Sequence, residues 1–214
     1  MAVRVEYFQG ALKGSPFYGR PRLLAEMQVG PLERRLQSVE LPAGWLVQCG
    51  GGWEGWSPRD WEPRLQGWKV HVSATPECAV ETLARTTRAC VEAGVSFKFL
   101  PTLAGLTESS SKNQARGAAG KFITIYPDDD GQLSELLSVL ASVLKGQEGP
   151  YILSDLRYVP DAPVFVRYGA FLGVRVPDVD DEPVESIVDP RDMRLIPDHR
   201  DPRVVIPDGV EVPE

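Results

Sequence analysis

The side chains that could do chemistry gather on a few alternating stretches. In Trp68-Lys69-Val70-His71-Val72-Ser73 apolar and polar residues alternate strictly, the period-2 signature of a half-buried strand. Trp68, Val70 and Val72 would face the core, leaving Lys69, His71 and Ser73 on the other face. Val95-Ser96-Phe97-Lys98-Phe99-Leu100 repeats the pattern and turns Lys98 away from the face shared by Val95, Phe97 and Phe99. Arg116 and Lys121 lie in a small, polar, glycine-rich stretch over 107–121 that holds three cations and one acid. Arg157 and Arg167-Tyr168 fall on two further strand-like runs. A single Lys or His on a strand most often only solubilises it; the set asks for more. No acidic residue stands out as a partner, so a Ser-His-Asp or Cys-His device lacks its orienting acid. Paired carboxylates for glycoside chemistry are missing too. Many cations with one histidine suit an anionic substrate handled by acid–base chemistry, most naturally a phosphate.

The totals narrow the classes. With 214 residues, 43% of them hydrophobic, the chain suits one domain with a core, or one domain plus an appendage. No stretch approaches a membrane span, and Met1–Glu6 has no signal-peptide core, so no membrane association is expected and the chain reads as cytoplasmic. Two histidines and three unclustered cysteines make a zinc site improbable, and no cofactor is implied. The net charge of −7 is unevenly placed: residues 178–214 carry 12 acids and 4 bases, whereas 1–177 hold 18 acids and 19 bases. A nearly neutral body can still carry a local basic pocket, but nucleic acid is disfavoured.

These side chains need a frame. Residues 1–44 are mixed, with a short helix around 32–38. Trp45–Cys49 reads as a strand running into a glycine-rich loop over 50–56 that has no phosphate-binding pattern. Thr75-Pro76-Glu77 has the makings of a helix start, with Val80, Leu83, Ala84, Thr87 and Val91 on one face and Gly94 as the stop. Phe122–Tyr126 reads as a strand. Asp128-Asp129-Asp130 opens a second helix with a stripe of Leu133, Leu136, Leu137, Leu140 and Leu144, stopped by Gly146. Tyr151–Leu156 and Val164–Phe171 form a strand pair. The seven prolines beyond Val176 point to an irregular, partly extended tail. The expected architecture is α+β: a twisted, mainly antiparallel sheet flanked by amphipathic helices. Its body is 1–177, with a Pro-rich acidic extension or linker over 178–214.

Several of these motifs occur in an order that is familiar. Trp68–Ser73, Phe97–Leu100, the Ser-rich stretch into Gly120-Lys121-Phe122-Ile123-Thr124-Ile125-Tyr126-Pro127, Ser154-Asp155-Leu156-Arg157 and Val166-Arg167-Tyr168-Gly169 resemble the N-terminal lyase domain of class III lanthipeptide synthetases. That domain is similar to the bacterial effector phosphothreonine lyases. The resemblance, over about residues 5–214, implies elimination of phosphate from phosphoserine or phosphothreonine of a precursor peptide, giving dehydroalanine or dehydrobutyrine. It implies Lys98 as general base, His71 as protonated general acid, Lys69 near the substrate carbonyl and Tyr126 in the pocket. Arg116, Arg157 and Arg167 match phosphate-holding arginines, and Lys121 joins them on charge and position. Lys98 would act as the neutral amine, its basicity lowered by neighbouring cations and by partial burial between phenylalanines. In such synthetases kinase and cyclase domains usually follow, so the chain is expected to work with them in the same or a separate chain. Two rivals remain: a binding module holding a phosphopeptide without chemistry, and a phosphothreonine lyase acting on a signalling protein.

Overall fold

The computed structural model describes residues 41–111, 114, 117–172, 174–177, 183–198 and 204–214. The helix expected around 32–38 and the candidate phosphate ligand Arg116 lie outside the described residues. Ten strands and three helices are present among those described. The strands are β1 (Trp45–Gly50), β2 (Trp53–Pro58), β3 (Gln66–Val72), β4 (Ser96–Phe99), β5 (Ile123–Tyr126), β6 (Leu156–Arg157), β7 (Val164–Ala170), β8 (Val174–Pro177), β9 (Pro183–Val188) and β10 (Leu195–Pro197); the helices are α1 (Ala79–Glu92), α2 (Leu103–Ser109) and α3 (Asp130–Val143). Seven strands form one antiparallel sheet in the order β1-β2-β4-β5-β3-β7-β6, and β10-β9-β8 make a small second one. The fold is α+β, as the alternation and the two helical stripes predict.

One face of the large sheet is the core. Val70, Val72, Ile123, Ile125, Phe97, Phe99, Val164 and Val166 all lie in one buried cluster with Leu83, Leu133, Leu136, Leu137, Leu140 and Leu144 from the helices. The leucine stripe of α3 is buried as expected, and Asp129 caps the helix by accepting from the Gln132 N–H at 2.7 Å. Gly94 and Gly146 take φ of 66° and 76° just past α1 and α3, the left-handed stop that glycine meets without a Cβ clash.

Four local expectations are corrected. Helix α1 starts one turn late, at Ala79, because residues 76–78 form a turn in which Cys78 N–H bonds Thr75 O at 3.1 Å. Its buried face is Ala79, Leu83, Thr86, Thr87 and Cys90, and Ala84 is exposed. The stretch 50–56 is a hairpin: Gly51 and Gly52, both at positive φ, form its two-residue turn, and Trp53 begins β2. That is the turn type whose twist matches paired strands. The strand expected over 151–156 shrinks to Leu156–Arg157, because the chain turns over 153–155, where Asp155 N–H bonds Ile152 O at 3.2 Å. The start of the 107–121 loop is helical, as the end of α2.

The segment beyond residue 177 contains strands β9 and β10 and binds the body. Trp68 Nε1 donates to Glu211 O at 3.0 Å, and Gln66 exchanges hydrogen bonds with both backbone groups of Val188. Proline spacing hid these strands.

The link joining α3 to β6 is held against the end of β3. Thr75 N–H bonds Glu148 O at 3.0 Å, and a Cβ on Gly149 would lie 2.6 Å from the Ser73 carbonyl carbon and 2.7 Å from its oxygen. Backbone cannot yield as a side chain does, so Gly149→Ala must push this link off β3. It should cost about 1–3 kcal/mol, read as a lower urea midpoint.

Candidate active site

The register gathers the candidate residues on the face opposite the helices. Lys98 of β4 pairs with Thr124 of β5, Thr124 with His71 of β3, His71 with Phe165 of β7, and Phe165 with Arg157 of β6. Paired residues in neighbouring strands point the same way, so these five form one row across the sheet. The next row on that face contains Ser96 opposite Tyr126 and Lys69 opposite Arg167. The strands bearing Lys69/His71 and Lys98 are close, as expected, but β5 lies between them. Short Thr124 therefore separates the lysine from the histidine.

This face is not solvent-facing. Lys69 is 7% exposed, His71 3%, Lys121 8% and Arg167 5%. Burying such groups requires counter-charge, and the structure supplies the acids that the sequence left unassigned. Asp155, 2% exposed, lies 2.5 Å from His71 Nδ1 through Oδ2 and 3.3 Å from Lys121 Nζ through Oδ1, and Ser154 Oγ donates to Oδ1 at 2.8 Å. Asp198, between β10 and the end of the chain, accepts from the Arg167 guanidinium and from the Ala170 N–H at 3.2 Å. Gly169 leaves room for that pair, since a Cβ there would come within 2.9 Å of both Arg167 Nη1 and Asp198 Oδ2.

The charges set the protonation states. Burial pulls the His71 imidazole down from 6.5 to about 3, with the Lys121 charge adding to the effect and the Asp155 contact only partly opposing it. Burial would raise the Asp155 carboxyl, but the charge and hydrogen bond of His71, the charge of Lys121 and the Ser154 hydroxyl together hold it well below its usual range. In the chain by itself these neighbours favour the neutral imidazole near pH 7; the protonated form expected of the acid is that of the phosphate-bound state. Nδ1 of the neutral ring then donates to Asp155, leaving Nε2 as the other ring nitrogen.

Lys98 has different neighbours from those expected. Phe97 and Phe99 turn to the core, while Lys98 Nζ lies 5.0 Å from the Trp53 ring centroid and 5.8 Å from that of Tyr126, within cation–π range. Arg157 ends the row at the sheet edge, where its guanidinium donates to Ala162 O at 3.4 Å and lies 5.9 Å from the Phe165 ring centroid. The structure thus brings Lys69, His71, Lys98, Lys121, Tyr126, Arg157 and Arg167 to one face or its border. Among the described residues no cluster of His, Cys, Asp or Glu is placed to hold a metal ion. No helix among them is long and apolar enough to cross a membrane. Ser154-Asp155 was visible as a motif, but nothing local marks Asp155 as the histidine's partner: 84 residues separate them.

Comparison with known proteins follows this geometry. Residues 33–214 match the family of the RamC N-terminal domain, and the chain belongs to that family. Among curated proteins it is 38% identical over 199 residues to the probable SapB synthase of Streptomyces coelicolor, covering 92% of this chain. It spans about a fifth of that synthase's length (21%). Family membership agrees with the synthetase-domain resemblance read from the motifs. Solved structures with a similar fold include the phosphothreonine lyase OspF of Shigella flexneri, at TM-score 0.46 and 18% identity over 67% of this chain and 77% of that one. The Salmonella plasmid virulence C protein SpvC has TM-score 0.44 and 15% identity over 70% and 85%.

Two measurements follow from the buried charges. The folded His71 binds its proton only near pH 3, the unfolded one near 6.5, so its contribution to stability is full above pH 6.5 and is lost as pH falls toward 3. Asp155, depressed in the fold, adds a loss in the same direction at the acid end. Denaturant midpoints between pH 7.5 and 4.5 should fall more steeply for the native protein than for His71→Asn, by roughly one proton's worth of slope. Asp198→Ala removes the buried carboxylate that accepts from the Arg167 guanidinium and the Ala170 N–H and should cost about 3–5 kcal/mol in urea unfolding.

Proposed function

We propose that this domain is a carbon–oxygen lyase that eliminates phosphate from phosphoserine or phosphothreonine in a lanthipeptide precursor peptide. The observation that carries the reading is the row Lys98–Thr124–His71, flanked by Lys69 and Arg167 and backed by Asp155. It sets a candidate base and a candidate acid two strands apart, about 10 Å at the backbone. A phosphorylated residue can lie between them. Lys98, as the neutral amine, takes the Cα proton. The C–H electron pair becomes the Cα–Cβ double bond, the Cβ–O bond breaks, and the bridging oxygen leaves with the phosphate. His71 gives that oxygen a proton from Nε2, with Asp155 fixing the ring through Nδ1. The phosphate dianion supplies the negative charge that lets His71 hold the second proton, so substrate binding would arm the acid.

Lys69 faces the carbonyl that gains enolate character, where one placed donor contributes roughly 10²–10³-fold. Arg167, Arg157, Arg116 and Lys121 hold the phosphate oxygens, and Tyr126 borders the reacting residue. Lys121 also shares Asp155 with His71 and so tunes the acid. In this reading the cationic side chains bear the phosphate charge and the reaction needs no metal. Kinase and cyclase domains, in the same chain or in partners, would supply the phosphorylated residue and consume the alkene.

The test is mass spectrometry of a synthetic phosphoserine peptide incubated with the domain. Elimination gives a product lighter than the unphosphorylated peptide by one water. Lys98→Ala should lower its rate by at least roughly 10²-fold, while the fold, followed by circular dichroism, is kept. A product equal in mass to the unphosphorylated peptide would mean hydrolysis and would overturn the reading. Unchanged peptide that nevertheless binds would favour a phosphopeptide-binding module.

A further inference from the structure

Extending from Lys98 toward β1 and β2 is a cavity of about 390 Å³. Leu46, Trp61, Phe171 and Leu172 line it, together with Lys98 and Tyr126, and Gln48 and Arg59 add polar groups to the wall. Its aromatic wall is fixed: Trp61 Nε1 donates to Asp128 Oδ1 at 2.9 Å, and Tyr126 lies between Trp61 and Phe171, tilted against the first and edge-on to the second, with centroids at 6.2 and 5.2 Å. Leu46 and Leu172 are 36% and 41% exposed, so apolar surface is open at its mouth. No acidic side chain lines it among the described residues.

The position of the cavity relative to Lys98 identifies an occupant. If Lys98 removes the Cα proton, that Cα lies about 3–3.5 Å from Nζ. The phosphate then points across β5 toward Lys69, His71 and Arg167. In an extended peptide the neighbouring residue is about 3.8 Å further along and its side chain projects the opposite way. The opposite way is toward β2 and β1, where the cavity is. We propose that the cavity is a specificity subsite for an apolar side chain on a residue adjacent to the phosphorylated one. The proposal rests on the assignment of Lys98 as base and extends it from the reacting residue to the peptide around it.

The experiment uses phosphoserine peptides with Leu, Ala or Asp at either flanking position. The domain is compared with Leu172→Asp and Leu46→Asp, two surface substitutions on different segments that leave the cationic row intact. The readout is kcat/KM of elimination, and fluorescence-anisotropy Kd for any peptide that is not turned over. At one flanking position Leu should be favoured over Asp by roughly tenfold or more. Each variant should shrink that ratio to near unity while changing the Ala-flanked peptide by less than about twofold. Equal handling of Leu and Asp, a preference for Asp directed by Arg59, or a Leu preference that survives both variants would overturn the subsite. Absence of elimination from every peptide would instead defeat the lyase reading, with the Kd ratios still deciding the subsite.

Discussion

The His71–Asp155–Lys121 contact is the constraint on which the rest of the site depends. A histidine and a lysine almost without solvent share one carboxylate, with a second lysine, Lys69, on the same strand as the histidine. Desolvated charges of this kind persist only where partners and hydrogen bonds meet them closely. The geometry of the surrounding chain can be read as the means of delivering that carboxylate. Gly149 lets the link after α3 lie directly on the Ser73 backbone, and the turn over 153–155 then carries Ser154 and Asp155 to β3. A longer β6 would have kept that stretch paired with β7 and left His71 without its partner.

The same rule explains why the acidic segment beyond residue 177 is part of the fold. Its excess of carboxylates looks like the mark of a solvated tail, yet one of them, Asp198, is buried against Arg167 and Ala170 N–H. Backbone pairing in β9 and β10 and the Gln66–Val188 hydrogen bonds bring it there. One side of the cationic face is therefore balanced from the middle of the chain and the other from near its end.

How much of this was legible follows from the range of each interaction. The faces of β3 and β4, the leucine stripe of α3 and the glycine stops depend on neighbours a few residues away, and alternation or helical spacing reports them directly. The partners of His71 and Arg167 are 84 and 31 residues distant. No local pattern carries that information, so neither acid stands out in the sequence as a partner. The neighbours of Lys98 were misread for a related reason: Phe97 and Phe99 adjoin it in sequence, but alternation sends them to the other face. Its actual companions, Trp53 and Tyr126, come from β2 and β5. The glycine-rich stretch at 50–56 was read by composition as a loop, whereas Gly51-Gly52 is the turn that lets Trp53 reach Lys98.

The distribution of charge also gives the site a direction. On the β3–β7 side lie Lys69, Lys121, Arg167 and His71, with Asp155 and Asp198 against them, a concentration of cationic side chains that suits a dianion. On the β4–β2 side Lys98 is set among aromatic rings. An anionic group therefore gains most at the β3–β7 end, and the uncharged part of the same ligand gains most by turning toward the aromatic end. That polarity would orient a phosphorylated residue with its Cα toward Lys98 before any bond is broken. In the proposed reaction it would align the residue with a candidate base and a candidate acid on opposite sides of a side chain as small as Thr124.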